Sequence, residues 1–395
     1  MVNDNRRDKK IGIFSFFAGA GFLDLGFEKT HGFESLFVNE YHEPFMEIYK
    51  ASRQKLGIKP PMFGHSTKDV CDFLEDEESQ NLRNNIQVAK TKGFDLIGFI
   101  GGPPCPDFSV GGKNKGIKGE NGKLSATYIE LIARNQPDFF LFENVKGLYR
   151  TKKHRAFFDE IKLKLISNGY YLTEKLINSI EYGAPQDRER IILIGFKRES
   201  LINLGMQLNG SPILKSFDWN SNTLYSAKEI LSKNWPTQEP YQEDSVKEIP
   251  KGLNKKLTVQ YWFDKNDVEN HPNAKHFFQP RAGLAKFQSI QEGDDLKKSY
   301  KRLHRWRYSP TAAYGNNEVH VHPYKSRRIS AAEALAIQSL PKDFIIPENI
   351  SLSNMFKTIG NGVPYLAAKG LAETLMQFIG KINKEETKYA EVISK

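Results

Sequence analysis

The stretch IGIFSFFAGAGFLDLGFE, residues 11–28, decides which fold to expect. Its first half is a continuous apolar run, which is typical of a strand buried in a parallel sheet. Gly19 and Gly21 then make a turn, and the residues that follow have helical character. Glycines between a strand and a helix let the backbone approach a ligand, and the helix start offers free N–H groups. The spacing is not the dinucleotide pattern GxGxxG, since Asp24 stands at the third position, and a purely structural turn is the alternative.

Six further segments of the first half have the pattern of strands, and helical segments separate them. The strand-like segments are FESLFVNE (33–40), HSTKDV (65–70, a short strand or loop), FDLIGFI (94–100), DFFLFENV (138–145), YLTEKLINS (171–179) and RIILIGF (190–196). The helical segments begin near residue 44 and cover about 124–135 and 154–167. Apolar strands alternating with helices predict an α/β, doubly wound fold whose mainly parallel sheet is covered on both faces.

The pattern of polar and apolar residues changes after Phe196. Residues 197–326 are polar, without a sustained period, and predict a second, smaller and irregular domain. Helical periodicity returns at 329–340 and again at 363–380, so residues 327–395 are expected to pack back on the first domain, 1–196. The charged end of the chain is expected to fray.

Composition excludes several classes of protein. The 395 residues include 57 Lys and Arg against 47 Asp and Glu, a net charge of +10 that favours a polyanionic partner without identifying it. No apolar run approaches the roughly 20 residues of a membrane span, and the N-terminus lacks the apolar stretch of a secretory signal. Two cysteines cannot form a disulfide framework, and no Cys/His cluster has zinc spacing. We therefore expect a reducing compartment and no metal.

Two carboxylates follow strands at the same predicted sheet edge as the glycine turn. Glu40 ends the second strand-like segment, where it can accept both hydroxyls of a ribose. Asp69 follows in the third segment, where it can accept from an adenine amino group. Together with the turn they favour a nucleoside cofactor without a pyrophosphate. Ordinary solvated carboxylates are the alternative.

Cys105 follows the fourth strand-like segment on a stiff turn, GGPPCP. The loop beyond it, VGGKNKGIKGENGK, is rich in glycine and lysine and favours phosphates. A thiol beside lysines can have a lowered pKa and act as a nucleophilic thiolate. The alternative, a small buried hydrophobe, fits Cys71 far better than Cys105.

Charged side chains also lie at the boundaries of later strand-like segments. Glu143 closes the fifth strand-like segment, and helix capping is its alternative role. Arg188 and Arg190 stand two residues apart at the start of an extended segment, so their side chains share a face and can clamp a phosphate or carboxylate. A solvated run paired with Asp187 and Glu189 explains the same arginines equally well.

In this order the motifs resemble those of the DNA cytosine-5 methyltransferases, especially the compact bacterial restriction–modification type. The resemblance covers almost the whole chain except 197–326. Its motifs are FFAGAGFLDLGFE, GGPPCPDFS, FENV, QDRER, RRISAAEALAIQSLP (327–341) and IGNGVP (359–364). The fold it implies is the Rossmann-like class I S-adenosylmethionine-dependent methyltransferase fold.

The resemblance implies a role for each motif residue. Cys105 would add to C6 of a flipped-out cytosine, Glu143 would hold its N3 and amino group, and Arg188 and Arg190 would support the flipped nucleotide. The S-adenosylmethionine pocket, which would release S-adenosylhomocysteine, would be lined by Phe17, Gly19, Gly21, Glu40, Asp69 and Asn361. Two residues depart from the family pattern: Pro106 stands where Gln is common, and Phe22 where Gly is common.

The resemblance also implies double-stranded DNA as substrate, with target recognition in residues 197–326. The basic, aromatic stretch 297–311 supplies Arg302, Arg305 and Arg307 as candidates to read guanine edges. Lys113 and Lys115 would meet the DNA backbone. His320 and His322 are expected to be structural.

Further implications are a cytoplasmic monomer and a possible restriction endonuclease acting at the same site. Two alternatives stay open: a tRNA cytosine-5 methyltransferase, and a catalytically silent DNA-binding relative. The recognised bases do not follow from the sequence.

Overall fold

Seven strands form one sheet in the computed structural model, which describes residues 9–104, 120–208, 210–296, 299–312, 314 and 319–393. The strands are β1 (Ile11–Phe16), β2 (Phe33–Asn39), β3 (His65–Ser66), β4 (Leu96–Gly101), β5 (Phe139–Val145), β6 (Tyr170–Asn178) and β7 (Glu189–Lys197).

The strand order across the sheet is β3-β2-β1-β4-β5-β7-β6. The five strands from β3 to β5 pair in parallel, whereas β7 runs antiparallel to both β5 and β6. Residues 179–188 alone connect β6 to β7, and that connection is too short for the crossover that a parallel pair needs. The prediction of a doubly wound, mainly parallel α/β sheet is confirmed.

Helices connect the strands and fill the second half of the chain. The α-helices of the described residues are α1 (Phe22–Glu28), α2 (Glu43–Lys55), α3 (Asp76–Thr91), α4 (Glu120–Asn135), α5 (Lys146–Arg150), α6 (Lys152–Ser167), α7 (Arg198–Asn203), α8 (Ala227–Leu231), α9 (Val259–Lys265), α10 (Leu284–Ser289), α11 (Ala331–Ile337), α12 (Leu352–Asn361) and α13 (Tyr365–Ile393).

The sheet separates two apolar cores, because successive side chains of a strand point to opposite faces. Phe14 and Phe16 of β1 enter one core together with Tyr128 of α4. Ile11 and Ile13 enter the other, which contains side chains of α1 and α13. Gly26 of α1 packs so closely on α13 that a β-carbon there would lie 2.5 Å from the carbonyl carbon of Ala368.

A third core joins the second half of the chain to the glycine turn. Trp262 of α9 and Leu335 of α11 lie in one apolar cluster with Phe22 of α1 and Ile48 of α2. Phe22, the departure from the family pattern, meets Phe344 edge to face at 5.2 Å. The irregular region is therefore attached to α1 through buried apolar contacts, while its proposed boundaries at 197 and 326 stay a prediction.

The motif IGNGVP lies at the end of α12. Ile359–Asn361 form the last turn of that helix. Ser351 begins that helix by accepting a hydrogen bond from the backbone N–H of Asn354. The helical backbone of α13 also continues to Ile393, past the expected end at 380.

The expectation for Cys71 was wrong. Cys71 is exposed, and its Sγ lies 3.7 Å from Oγ1 of Thr127. It belongs to a short 3₁₀ helix, Val70–Leu74, in which Val70 and Phe73 are the buried side chains. The core position that was expected for the cysteine is thus taken by its neighbours.

Candidate active site

The turn after β1 has an unusual backbone. Phe17, Gly19 and Gly21 all have positive φ, at 56°, 57° and 78°. This conformation is unfavourable for Phe17, whose ring meets Tyr128 edge to face at 6.0 Å. Such strain is concentrated at ligand-binding sites.

The two glycines face different surroundings. Among the described residues, a β-carbon at Gly19 would have one neighbouring atom within 4 Å, Oγ1 of Thr358 at 3.8 Å. A β-carbon at Gly21 would lie 2.4 Å from the ring of Tyr49. Gly21 is therefore required for packing on α2, whereas Gly19 leaves space in front of the turn.

Glu40 ties the turn to the end of β2. Its Oε2 accepts from the backbone N–H of Gly19, and its Oε1 from that of His42, both at 2.8 Å. Burial raises the pKa of Glu40, and the two N–H groups and Lys357 oppose that shift. The carboxylate is thus held in one orientation at the carboxyl edge of the sheet.

The next two predicted cofactor residues lie at the same edge. Asp69 caps the short 3₁₀ helix by accepting from the N–H of Cys71 at 2.9 Å. Asn39 is buried, and its amide donates to the carbonyls of Ser66 and Lys68, which fixes the segment before Asp69. Asn361 ends α12 with an exposed side chain.

A cavity of about 1290 Å³ connects these residues with the proposed catalytic ones. Its lining includes five of the six predicted cofactor residues, Gly21 being the exception, and two of the catalytic ones. These residues are Phe17, Gly19, Glu40, Asp69 and Asn361, with Glu143 and Arg190. The volume is large enough for a nucleoside and a second ring.

Glu143 and Arg190 form a buried ion pair in this cavity. Nε of Arg190 lies 3.0 Å from Oε1 of Glu143, and both side chains are nearly buried. Burial raises the pKa of Glu143, against the opposing effects of Arg190 and, more weakly, Arg188. A carboxyl in this environment keeps its proton at a higher pH than an exposed glutamate does.

Arg188 is placed differently from Arg190. It is fully buried, does not line the cavity, and donates to the carbonyls of Ala312 at 2.7 Å and Gly360 at 2.8 Å. Burial, reinforced by Arg190, lowers the pKa of Arg188. Arg188 therefore joins the start of β7 to the backbone at residue 312 and to the end of α12.

Cys105 lies outside the described residues, and so do Pro106, Lys113 and Lys115. The described chain before them leads into the cavity. A β-carbon at Gly102 would lie 2.7 Å from Oε2 of Glu143, so a larger residue there would displace this carboxyl. Pro103 and Pro104 line the cavity beside it.

The prediction that Arg302 and Arg305 read guanine edges is corrected by their burial. Arg302 is 0% exposed, and its guanidinium donates to the backbone carbonyls of Phe287, Ile290 and His322. Arg305 is 3% exposed and forms a two-point ion pair with Glu292 at 2.8 and 3.0 Å.

Arg307 is partly buried and bound to Asp295 at 2.5 Å. The arginines of this basic, aromatic stretch stabilise irregular backbone, because they donate hydrogen bonds to its carbonyls. Composition alone does not distinguish this structural role from contact with nucleic acid.

The histidines beyond this stretch are also internal. His320 lies 3.3 Å from the hydroxyl of Tyr314, and His322 lies 3.4 Å from Glu333. Within the described residues no cluster of three His, Cys, Asp or Glu side chains has the arrangement of a metal site.

Asp24 was not predicted as a site residue, although it lines the cavity. It is buried in the first turn of α1, and Tyr49 donates to its Oδ1 at 3.3 Å. Its Oδ2 has no hydrogen-bond partner among the described residues. Burial raises the pKa of Asp24 to about 6, with Arg53 opposing. A carboxylate inside the apolar run FLDLGF is the signal that could have marked it.

None of the helices in the described parts of the chain is both long and apolar enough to cross a bilayer.

Solved structures of other proteins resemble this fold. A protein described as a DNA modification methyltransferase encoded within a prophage of E. coli aligns with a TM-score of 0.60 at 22% identity, over 94% of this chain and 100% of that one. The S. pombe Dnmt2 methyltransferase aligns with a TM-score of 0.57 at 11% identity, over 95% and 100%. At these identities the likeness shows a shared fold.

Sequence relatives show more. The chain is 59% identical over 378 residues to the Type II methyltransferase M.NmeDI of Neisseria meningitidis serogroup C, covering 96% of this chain and 86% of that protein. It is 29% identical to the Type II methyltransferase M.FnuDI of Fusobacterium nucleatum, over 94% and 97%. The sequence profile of C-5 cytosine-specific DNA methylases matches residues 11–377, from β1 into α13. This chain belongs to the C-5 cytosine-specific DNA methylase family.

Proposed function

We propose that the chain methylates C5 of a flipped-out cytosine within a specific sequence of duplex DNA, with S-adenosylmethionine as methyl donor and Cys105 as covalent nucleophile. The observation that carries this proposal is that Glu143 and Arg190 line the same cavity as Gly19 and Glu40. A base and a methyl donor bound in one cavity can meet without crossing solvent. Inside a stacked duplex the cytosine is inaccessible, so the base has to leave the stack.

Covalent addition makes C5 reactive. When the Cys105 thiolate adds to C6, a carbon–sulfur bond forms and the electron pair of the ring double bond becomes available at C5. Glu143 donates a hydrogen bond or proton to N3, where negative charge develops, and its raised pKa favours the protonated carboxyl that this role needs. After methylation, water takes the C5 proton and any proton on N3 returns to Glu143. The electron pair of the C5–H bond re-forms the ring double bond as the carbon–sulfur bond breaks, which restores the aromatic ring and the thiolate.

The arginines have separate roles in this proposal. Arg190 orients Glu143 through their 3.0 Å ion pair. Arg188 acts at a distance, because its bonds to Ala312 and Gly360 join the start of β7 to two segments beside the cavity. We therefore treat Arg188 as a positioning residue.

The residues around the glycine turn fit S-adenosylmethionine by their chemistry. The space in front of Gly19 admits a ligand close to the backbone, Glu40 can accept from ribose hydroxyls, and Asp69 can accept from an adenine amino group. Phe17 and Asn361 complete the lining, while Gly21 supports the turn from behind. Bound there, S-adenosylmethionine would supply the electrophilic methyl group of its sulfonium, and S-adenosylhomocysteine would be the product. No metal has a role in the proposal.

The relatives indicate a biological role for the proposed activity. M.NmeDI and M.FnuDI are both Type II methyltransferases, so we propose that this chain is the modification enzyme of a restriction–modification system. It would protect cytoplasmic DNA from an endonuclease of the same specificity. We propose a monomer, because a hemimethylated site has to be modified on one strand at a time.

Bisulfite sequencing of DNA from cells that express the protein tests the activity and identifies the site. We expect conversion-resistant cytosine at one sequence, and loss of that signal with Cys105→Ser. A duplex containing 5-fluorocytosine at the site should form a covalent adduct with the native protein and none with Cys105→Ser. Activity confined to tRNA, or no adduct with the native protein, contradicts the proposal.

A further inference from the structure

Two cations converge on Glu189 at the rim of the cavity. Lys146 and Arg150 begin and end α5, and their four-residue spacing puts both side chains on one face. Nζ of Lys146 lies 2.8 Å from Oε2 of Glu189, and a terminal guanidinium nitrogen of Arg150 lies 2.8 Å from Oε1. Each carboxylate oxygen therefore has its own cation, and the group of three carries a net positive charge.

This cation clamp, Lys146 and Arg150 with Glu189, is open to solvent beside the proposed catalytic groups. The side chains of Lys146 and Arg150 are 48% and 59% exposed. Lys146 and Glu189 line the same cavity as Glu143, and Arg190 follows Glu189 directly on β7. Lys152, just beyond α5, is exposed as well. An anion at this rim would lie next to a base held by Glu143.

We propose that Lys146 and Arg150 bind a backbone phosphate of the DNA strand whose cytosine enters the cavity. This inference rests on the proposed function, since it names a contact of that same substrate. A phosphate, like the Glu189 carboxylate, offers separate oxygens to two cationic donors. Phosphate contacts set the position of a protein on DNA without reading its sequence. The cation clamp therefore positions the strand so that its cytosine can reach Glu143.

Glu189 has a definite part in this arrangement. It holds both cations in place while DNA is absent, and it competes with the phosphate when DNA binds. Exposed ion pairs contribute little to folding, so exchange of one anion for another at this rim is not opposed by a large loss of stability. Neutralising Glu189 should accordingly strengthen DNA binding, whereas neutralising the cations should weaken it.

The salt dependence of binding tests the proposal. Fluorescence anisotropy would compare the wild type with the double variant Lys146→Gln/Arg150→Gln, on a duplex carrying the methylated site and on an unrelated duplex. Each lost phosphate contact lowers the magnitude of the slope of log affinity against log salt by about 0.9, so loss of this one contact should lower it by about 0.9 on both duplexes. Affinity should fall by a similar factor for both, leaving their ratio unchanged.

The chain contains a matched control. Arg134 and Lys164 also converge on one carboxylate, Glu130, with Nε of Arg134 2.6 Å from its Oε1, and their exposure is similar at 47% and 45%. None of these three residues lines the cavity. The variant Arg134→Gln/Lys164→Gln removes the same charge and the same kind of ion pairs, and should keep the wild-type slope within about 0.5. Equal slopes in the two double variants would overturn the proposal.

Glu189→Gln separates a DNA contact from a purely structural role. If the cations bind phosphate, this variant gains affinity at low salt, because their competitor is gone. If the ion pairs only hold α5 against β7, it loses affinity together with the cation variant, and thermal unfolding shifts down in both. A wild type that methylates no duplex refutes the proposed function, whereas a wild type that methylates duplex DNA with an unchanged slope in the cation variant refutes this inference alone.

Discussion

Arg190 and Glu143 meet diagonally across the antiparallel pair of β7 and β5, with Nε of Arg190 3.0 Å from Oε1 of Glu143. Arg190 stands opposite Val145, two residues from Glu143, and diagonal neighbours on one face of a sheet are within reach of a long side chain. The reversed direction of β7 thus brings its first residues to the carboxyl end of β5. That edge also contains the end of β4, from which the chain leads to Cys105.

Replacing Glu143 tests its part in cytosine activation. Glu143→Gln keeps the size of the side chain but removes the acidic proton, so methyl transfer at saturating substrates should fall by about 10²- to 10⁴-fold. Binding of the duplex should change much less. Single-turnover kinetics and a binding titration separate the two effects, and a variant with full single-turnover rate contradicts the assigned role.

Replacing Arg190 should move the pH profile in a predictable direction. Arg190 opposes the burial that raises the pKa of Glu143, so its removal favours the neutral carboxyl and raises that pKa further. In Arg190→Gln the alkaline fall of kcat/KM that follows ionisation of Glu143 should therefore begin at higher pH than in the wild type. The maximal rate should also fall, since Glu143 loses its orienting partner. An unchanged or lower alkaline limb contradicts this coupling.

Much of this site could be predicted from the sequence because strand ends and glycine turns are local signals. The apolar run at 11–16 and its turn indicated a strand and a ligand-facing loop, and Glu40 and Glu143 each follow such a run, whereas Asp69 lies in a short polar segment. Parallel strands bring their carboxyl ends to one edge, so order along the chain becomes proximity in space. The cavity that contains these carboxylates follows from that topology.

Tertiary contacts decided the rest, and a single sequence does not reveal them. Arg188 and Arg190 have the same local pattern, yet one bonds to buried carbonyls from residues 312 and 360 and the other faces Glu143. Arg302 and Arg305 look like DNA contacts by composition, but Arg302 donates to the backbone carbonyl of Ile290 and Arg305 pairs with the buried carboxylate of Glu292. The last turn of α12 lies in the family motif IGNGVP, and polar residues beside glycine in that motif do not indicate a helix.

The two glycines of the turn should respond differently to alanine. Gly21→Ala places a β-carbon 2.4 Å from Tyr49 at a φ of 78°, so the free energy of unfolding should fall by about 2–4 kcal/mol. Gly19→Ala meets open space at a φ of 57° and should lose about 1 kcal/mol. Its methyl group occupies the cavity, so S-adenosylhomocysteine binding should weaken more than stability does. Thermal unfolding and calorimetric titration measure the two quantities; equal effects at both positions contradict the distinction.

Asp24 should destabilise the protein above neutral pH. Folding raises its pKa from the ordinary 3.8 to about 6, which means that the folded state favours the proton. Below about pH 4 both states are protonated and the residue carries no penalty; between about pH 4 and 6 the unfolded state ionises first and stability falls. Above about pH 6 the full penalty, about 3 kcal/mol, is present.

Asp24→Asn removes that ionisation. The variant should gain up to about 3 kcal/mol relative to the wild type at pH 8 and nothing at pH 4, as measured by urea unfolding at both values. The exposed Glu248→Gln serves as a control for loss of one negative charge and should show no such pH-dependent gain. A gain that is the same at both pH values would mean that Asp24 ionises normally in the folded protein.

Replacing Arg305 should lower the stability of the fold and leave the salt dependence of DNA binding unchanged. Its guanidinium and the carboxylate of Glu292 are 3% and 1% exposed, so removal of one partner leaves the other charged and buried. Arg305→Gln should therefore lower the free energy of unfolding by about 3–5 kcal/mol. The double variant Arg305→Gln/Glu292→Gln removes both charges and should be less destabilised than the sum of the single variants, a coupling that a double-mutant cycle in urea measures.

The salt slope of DNA binding should stay at the wild-type value in any Arg305 variant that remains folded, because a buried arginine neutralises no phosphate. A lower slope in folded Arg305→Gln would instead show that this side chain leaves Glu292 to contact DNA.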